Sequence, residues 1–447
     1  VGRKSHTRTL AVWANGERVA TWQAAGRGPA ELRYEPSWLA SPLGRPLSLS
    51  LPLALVGNEP LRGPVVENYF HNLLPENDNI RRRLAARYAA GSQDPFDLLA
   101  AIGRDCVGAI QLLAEGISPE GFNRIEGTAM TDDDVARLLR NAAGTALPGK
   151  QDADWDFRIS IAGAQEKTAL LRHGNRWMAP HGATPTTHIL KMPLGLVGNM
   201  QADMRTSVYN EWLCLRLLDA FGVPVAHAEI VTFADHPAVL AVERFDRRLH
   251  ESQTWITRLP QEDFCQALGI SPDQKYEADG GPGILDVARI LAGSERARGD
   301  LKTLLRSQIL FWLMAATDGH AKNFSIHLMA GGRFHLTPLY DVLSAWPVIG
   351  KGKGKHHLPL RRVKLAMAIR GSNPHYELAT IMRRHFDALA ARAGWGASAD
   401  DLIEELLDQV EPAIETVSHQ IPNEFPQDIA HAIFEGVRSQ ALRLDSQ

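Results

Sequence analysis

The chain has 447 residues, enough for two or three domains, and its 45% hydrophobic and 22% charged residues are ordinary for globular material. A net charge of −3 with an isoelectric point near 6.7 excludes a general attraction to nucleic acid, so any DNA contact needs a local patch. Cys106, Cys214 and Cys265 make no CxxC or metal-type spacing, no apolar run reaches membrane-spanning length, and the polar start lacks a signal-peptide core. The expectation is a soluble cytoplasmic protein with reduced thiols.

Arg8 to Gln23 reads as two strands around an Asn15-Gly16 hairpin turn. Pro36, Pro42, Pro46 and Pro52 break Leu32 to Leu53 into short runs unsuited to long helices. Helical periodicity starts near Val65, runs through Asn68 to Leu74 and resumes in the basic Ile80 to Ala90. Asp94-Pro95-Phe96-Asp97-Leu98-Leu99 opens a capped helix, and Val107 to Leu113 reads as a strand. Thr131-Asp132-Asp133-Asp134 caps a helix over Val135 to Arg140. No catalytic signature lies in this first third, and polar Gly144 to Asp156 reads as a boundary.

In Ile159 to Leu171, small residues between strand-like runs suit a turn whose amides approach a phosphate; a plain hairpin fits too. Lys191 sits in the apolar strand His188 to Pro193. It is either an edge residue with its head in water or, as in kinases, a phosphate-binding lysine paired with a helix glutamate. Glu211, near the start of the apolar helix Asn210 to Leu218, is the candidate partner. Ile230 to Phe233 and Ala238 to Asp246 read as strands around Asp235-His236-Pro237. The second ends where a nucleotide hinge would lie, and a central strand with a charged end fits equally.

From Leu259 the chain reads as mostly helical, over Pro260 to Leu268, Ile284 to Leu291 and Asp300 to Thr317, with a loop of little specificity at Asp279 to Gly283. The last helix leads into Asp318 and Asn323, which stand five apart, the D-x-x-x-x-N spacing of a kinase catalytic loop. There a carboxylate takes the proton of the attacking hydroxyl and an amide oxygen reaches a Mg²⁺ on the phosphates. Phe324 to Thr337 alternates around Gly331-Gly332 as a hairpin, which would return Tyr340-Asp341 beside Asn323 and make Asp341 a second metal ligand. Taken singly, Asp318-Gly319 reads as a turn and Asp341 as a helix cap; together they favour phosphoryl-transfer chemistry. Gly350 to His357, Arg361-Arg362 and Arg383-Arg384 are basic runs. They are solvated faces or phosphate contacts, and the first reads as a mobile loop. Ser398 to Gln440 reads as amphipathic helix with proline breaks.

These stretches together resemble the HipA-like serine/threonine kinases, the toxin half of bacterial toxin–antitoxin pairs. The resemblance rests on Ile159 to Leu171, Thr184 to Lys191, Leu240 to Arg248, Leu259 to Asp263 and Ala315 to Asn323. Pro46 to Pro52 and Asp94 to Leu99 also resemble the family's N-terminal subdomain. The implied fold is α/β (α+β): a two-lobed, protein-kinase-like architecture with an N-terminal subdomain (1–145), an N-lobe-like region (150–255) and a mostly helical C-terminal lobe (256–447). By this resemblance Asp318 is the catalytic base, Asn323 and Asp341 are the Mg²⁺ ligands, and Lys191 contacts phosphate. Ala162, Gly163, Ala164, Gln165, Glu166 and Lys167 form the phosphate loop, and Glu243, Arg244 and Phe245 the adenine hinge. His320, Ala321, Lys322, Asn323 and Tyr340 complete the ATP site. Ser160 matches the serine these kinases autophosphorylate; the plainer reading is a strand-end hydroxyl bonded to backbone. A phosphate there would add about −1.5 to −2 charge beside a loop meant for ATP, with ejection of the loop and self-inactivation as the expected result.

The implied partners are a HipB-like helix-turn-helix antitoxin dimer, operator DNA held mainly through it, and a protein substrate. That substrate is an aminoacyl-tRNA synthetase, with glutamyl-tRNA synthetase the family's best-known case; its modification stops charging and leads to growth arrest and persistence. The sequence departs from the family form in the Lys- and His-rich loop after Asp341 and at Arg383-Arg384, which stay candidates for DNA contact. Two other readings remain, a catalytically idle co-repressor in an antitoxin–DNA complex and a small-molecule kinase on the same scaffold. Intact Asp318, Asn323, Asp341 and Lys191 argue against the first, and the phosphate-loop and hinge matches against the second.

Overall fold

A computed structural model describes residues 8–24, 28–53, 59–144, 160, 162–163, 165–197, 202–350 and 358–447. Ala164, the boundary stretch after Gly144, and the basic loop after Gly350 lie outside the described residues.

Strands β1 (Arg8–Ala14) and β2 (Glu17–Ala24) form the expected hairpin. Asn15 (φ 49°) and Gly16 (φ 84°) both adopt the left-handed backbone that a tight two-residue turn requires. With β3 (Glu31–Tyr34), β4 (Leu61–Arg62) and β5 (Ile110–Ala114) they make an antiparallel sheet of order β4-β3-β2-β1-β5. Helices α1 (Pro36–Leu39), α2 (Pro64–His71), α3 (Asp78–Arg87) and α4 (Pro95–Ile102) accompany it. Leu10, Val12 and Trp22 of the sheet share one core with Phe70, Leu98 and Leu99, and Trp22 stacks on Phe70 with ring centroids 3.8 Å apart.

A second core begins with β6 (Gly127–Ala129) and α5 (Asp132–Ala142), the latter started by a reciprocal capping box between Thr131 and Asp134. Then follow β7 (Lys167–His173), β8 (Arg176–Pro180), β9 (His188–Lys191), the ribbon β10 (Leu196–Val197) and β11 (Ala202–Asp203), α6 (Ser207–Ala220), β12 (Ala228–Val231) and β13 (Val239–Glu243). The sheet order is β12-β13-β9-β7-β8-β6. Val135, Leu138 and Leu139 of α5 pack with Leu170, Leu190 and Ala241. Strand side chains alternate between faces, so Lys191 points away from Leu190, and its register partner Lys167 lies alongside it. Helix α6, carrying Glu211, packs against β12 and β13. Strand β6 and helix α5 precede residue 145 yet join this second core. The change of core thus falls between Ala114 and Gly127, earlier than a division at 145 implies.

The largest core takes in the buried side of α6 together with the C-terminal part. After β13 the chain runs through the ribbon β14 (Arg247–Leu249) and β15 (Ile256–Arg258) and then β16 (Gln261–Asp263) and α7 (Phe264–Ala267). Next come α8 (Ile284–Leu291), α9 (Ala297–Met314), the hairpin β17 (Ser325–Leu328) and β18 (Phe334–Leu336), and the ribbon β19 (Lys364–Arg370) and β20 (Pro374–Glu377). The described chain closes with α10 (Arg383–Arg392), α11 (Asp400–Ser418) and α12 (Gln427–Asp445). The helix expected over Pro260 to Leu268 starts only at Phe264. Gln261–Asp263 instead pairs with β17, and Asp263 then caps α7 in a box with Gln266; long-range strand pairing overrides local helix preference here. Helix α9 stops at Met314, not Thr317, because Ala315 turns left-handed (φ 51°). Pro412 sits inside α11 without ending it, and the break falls between Ser418 and Gln427. Among the described residues no helix is long and apolar enough to cross a membrane.

Candidate active site

Helix α9 is buried continuously from Leu304 to Met314, so the segment leaving it starts from a fixed base. A Cβ at Gly319 would strike the Phe311 ring, which explains the glycine after Asp318. The Asp318 side chain is 59% exposed, open to an incoming group. Its Oδ1 accepts a hydrogen bond from Tyr276 Oη at 2.8 Å, and His320 Nε2 lies 4.0 Å from the same oxygen. His320 is buried edge-on to the Tyr276 ring, and that burial holds it below the ordinary imidazole range. Asn323 Nδ2 donates to the Asp318 carbonyl at 2.7 Å and reaches the Asp341 carbonyl at 3.5 Å. The β17–β18 hairpin does return Asp341 to Asn323. Asp341 itself has φ 60°, an uncommon conformation for a residue with a side chain.

Lys191 Nζ donates to Glu211 Oε1 at 2.6 Å and to Asp341 Oδ1 at 2.8 Å. Burial opposes its charge, but Asp341 and Glu211 prevail and raise its pKa. The same ammonium draws Asp341 well below the usual carboxylate range against its own burial, whereas burial pushes Glu211 up. Lys167 donates to the Ala162 carbonyl at 2.8 Å; burial, aided by Lys191 and opposed by Asp341, lowers it to about 8. Gly163 has φ 108°, and the space a side chain would take there holds the Lys167 ammonium. Gln165 Nε2 donates to the Met192 carbonyl at 2.5 Å, and Glu166 pairs with Arg83, so both side chains turn to protein contacts.

The donor set suits Mg²⁺. The Asn323 amide nitrogen is engaged by the Asp318 carbonyl and reaches the Asp341 backbone carbonyl, which leaves the Asn323 amide oxygen as an acceptor; the Asp341 carboxylate, bonded through Oδ1 to Lys191, is the second hard-oxygen donor. Phosphate-bound magnesium takes one or two such hard oxygens from protein and the rest from phosphate and water. Among the described residues, no group of three or more His, Cys, Asp or Glu forms a metal cage by itself.

Ser160 is fully buried, with Oγ donating to the Leu73 carbonyl at 2.7 Å and N to the Asp105 carbonyl at 3.1 Å. Glu76 N donates to the Gly163 carbonyl at 3.2 Å, so the stretch between α2 and α3 underlies the Ala162–Gly163 turn. At the expected hinge, Phe245 lies 5.6 Å from the Tyr340 ring and 5.7 Å from the His327 ring, and Glu243 is exposed. Arg244 does not point into the cleft: its guanidinium meets Asp246 at 2.9 Å and Asp105 at 3.2 Å in a buried cluster. The Lys322 ammonium is likewise turned to structure, donating to Asp263 at 2.6 Å and to Asn72 Oδ1 at 2.7 Å. Ala321 is buried beside it, and Tyr340 Oη donates to the Lys322 carbonyl at 2.8 Å. Arg383 pairs with Asp400 at 2.6 Å and Glu404 at 2.5 Å at the start of α10, while Arg384 is exposed. Tyr276, the 2.6 Å Glu76–Lys275 pair and Asp105 were not evident in the sequence, because each meets its partners across a long stretch of chain.

Comparison with known proteins gives concordant matches. The family model for the HipA-like C-terminal domain matches residues 159–416, and that for the HipA N-terminal domain matches residues 10–113. The chain is 34% identical over 343 residues to the Y4mE protein of Sinorhizobium fredii, across 75% of this chain and 77% of that one. It is 30% identical over 326 residues to the serine/threonine-protein kinase toxin HipA of Shewanella oneidensis, across 70% and 69%. The solved Shewanella oneidensis complex of HipA, HipB and operator DNA contains a chain of the same fold. Its TM-score is 0.77 at 24% identity, over 98% of this chain and 97% of that one.

Proposed function

The chain belongs to the HipA-like kinase family, and we propose that it is an ATP- and Mg²⁺-dependent serine/threonine-protein kinase serving as the toxin of a toxin–antitoxin module. The observation that carries this is Lys191 bridging Glu211 and Asp341, with Asp341 beside the segment that holds Asp318 and Asn323. An idle scaffold has no use for a buried lysine held between two carboxylates.

ATP seats its phosphates against the backbone of the Ala162–Gly163 turn and the ammonium groups of Lys167 and Lys191. Its adenine lies along the backbone of Glu243, Arg244 and Phe245 beside Tyr340, with the His320 to Asn323 segment closing the site. Glu211 keeps Lys191 charged and aimed. Asp318 accepts a hydrogen bond from the incoming serine or threonine hydroxyl and takes its proton as the phosphoryl group transfers. Asn323 and Asp341 would hold Mg²⁺, which when bound neutralises charge on the phosphate oxygens.

Ser160 is the self-modification site in this reading. A phosphate of about −2 charge cannot return to so buried a place, so the loop stays out and activity ends. The substrate is an aminoacyl-tRNA synthetase, glutamyl-tRNA synthetase being the first to try, and the outcome is growth arrest and persistence. A HipB-like antitoxin dimer holds the chain on operator DNA as co-repressor, with Arg383 and Arg384 as candidate DNA contacts. The three functional parts lie near 1–145, 150–255 and 256–447, with β6 and α5 serving the second, and the setting is the bacterial cytoplasm.

The test is intact mass after incubation with Mg²⁺ and ATP. One added phosphate is expected on the wild type and none on Ser160→Ala or Asp318→Ala. Transfer to glutamyl-tRNA synthetase should fall by at least about 10²-fold in Asp318→Ala. Undiminished transfer by that variant would sink the kinase assignment.

A further inference from the structure

Asp318 stands at the open end of a buried helix, and an aspartate so exposed would rotate freely among its rotamers unless something held it. Tyr276 Oη supplies that hold, donating to Oδ1 at 2.8 Å. The bond engages one carboxylate oxygen, and the other remains to receive an acceptor hydroxyl. Tyr276 is itself fixed from two sides. Gly281 N donates to the Tyr276 carbonyl at 2.9 Å, and a side chain at Gly281 would strike the Gln274 and Tyr276 carbonyls. Next to it, Glu277 accepts Ala368 N at 2.6 Å and Arg370 Nη2 at 2.5 Å from β19. On the other side the Lys275 ammonium lies 5.0 Å over the Tyr276 ring and donates to Glu76 Oε2 at 2.6 Å. Glu76 N in turn donates to the Gly163 carbonyl. Direct contacts therefore run from the phosphate loop to the base through Glu76, Lys275 and Tyr276.

We propose that Tyr276 is a positioning residue for Asp318, and that the Lys275–Glu76 pair ties its placement to the phosphate loop. This rests on the kinase reading above. A hydroxyl on the base could instead be a plug that occupies the substrate's place; positioning predicts that its removal slows the reaction, plugging that it speeds it.

The experiment uses the full chain and two readouts. The first is the single-turnover rate of self-phosphorylation across ATP concentrations, which separates the maximal rate from half-saturating ATP. Tyr276→Phe should lower the maximal rate about 10- to 100-fold while half-saturating ATP moves by no more than about twofold. Lys275→Met should lower it in the same direction, and Lys275→Arg, which keeps the pair with Glu76, should recover most of it. The second is amide hydrogen exchange over residues 315–323 without nucleotide, which should quicken in Tyr276→Phe. An unchanged or faster maximal rate overturns the proposal, and so does unchanged exchange. A loss of rate matched by an equal loss of ATP affinity also overturns it, since that marks a merely structural role. Wild-type chain that incorporates no phosphate counts against the kinase reading alone, and the exchange readout then decides the positioning.

Discussion

Lys167 and Lys191 face each other across adjacent strands, yet the site treats their charges differently. Lys191 has two carboxylates against it and stays charged, while Lys167, among the described residues, has the Ala162 carbonyl alone within hydrogen-bond reach and titrates near 8. Phosphate oxygens brought beside Lys167 favour its charged form and raise that value. Binding of ATP at pH 8 should therefore take up about half a proton per chain, and affinity should fall as pH rises through 8. Calorimetry in two buffers of different ionisation heat reads the uptake directly. Lys167→Met should abolish it; an uptake that persisted in that variant would assign the proton elsewhere.

Among the elements, β16 places Glu262 in an environment its sequence does not announce. The residue is fully buried, with Oε1 accepting Leu49 N at 2.8 Å and Oε2 meeting no hydrogen-bond donor among the described residues, and burial raises its carboxyl to about 8. The folded chain thus keeps a proton that the unfolded chain gives up above about 4.3. The stability this group contributes is full below that value and is lost as pH rises towards 8, by at most about 1.4 kcal/mol per pH unit. Glu262→Gln carries no charge to bury, so it should flatten this slope in urea melts between pH 5 and 8. Parallel slopes for the two proteins would refute the assignment. The same strand marks where sequence reading stops. The Asn15-Gly16 turn, the Thr131 cap, the apolar α9 and the Asp318–Asn323 spacing were legible because each is written in neighbouring residues. The proximity of Lys191 and Glu211 was legible too, as a strand lysine followed by a helix glutamate. Strand β16 was hidden because its partner β17 lies far along the chain. Tyr276 on Asp318, and the inward turn of Arg244, were hidden for the same reason.

Across the whole molecule, the N-terminal part is joined by charge to the stretch from Arg244 to Arg258. Asp105, between α4 and β5, meets Arg247 at 2.9 Å, Arg244 at 3.2 Å and Arg258 at 3.3 Å, and accepts the Thr186 hydroxyl at 2.7 Å. All of these side chains are buried. Removing one member leaves the others charged with no water to solvate them. Asp105→Ala should accordingly cost about 3–5 kcal/mol in urea denaturation; a loss comparable to that of a surface substitution would show that the cluster does not join the parts. Asp105 also holds Ser160 through its carbonyl, while Leu73 holds the hydroxyl. On the proposed reading, Ser160 meets a phosphoryl donor only during openings, so its modification rate is the chemical rate multiplied by the fraction of time spent open. Each 1.4 kcal/mol or so of opening free energy stretches that interval about tenfold. Packing around one serine would then act as a clock, setting how long a newly made molecule stays active before it silences itself.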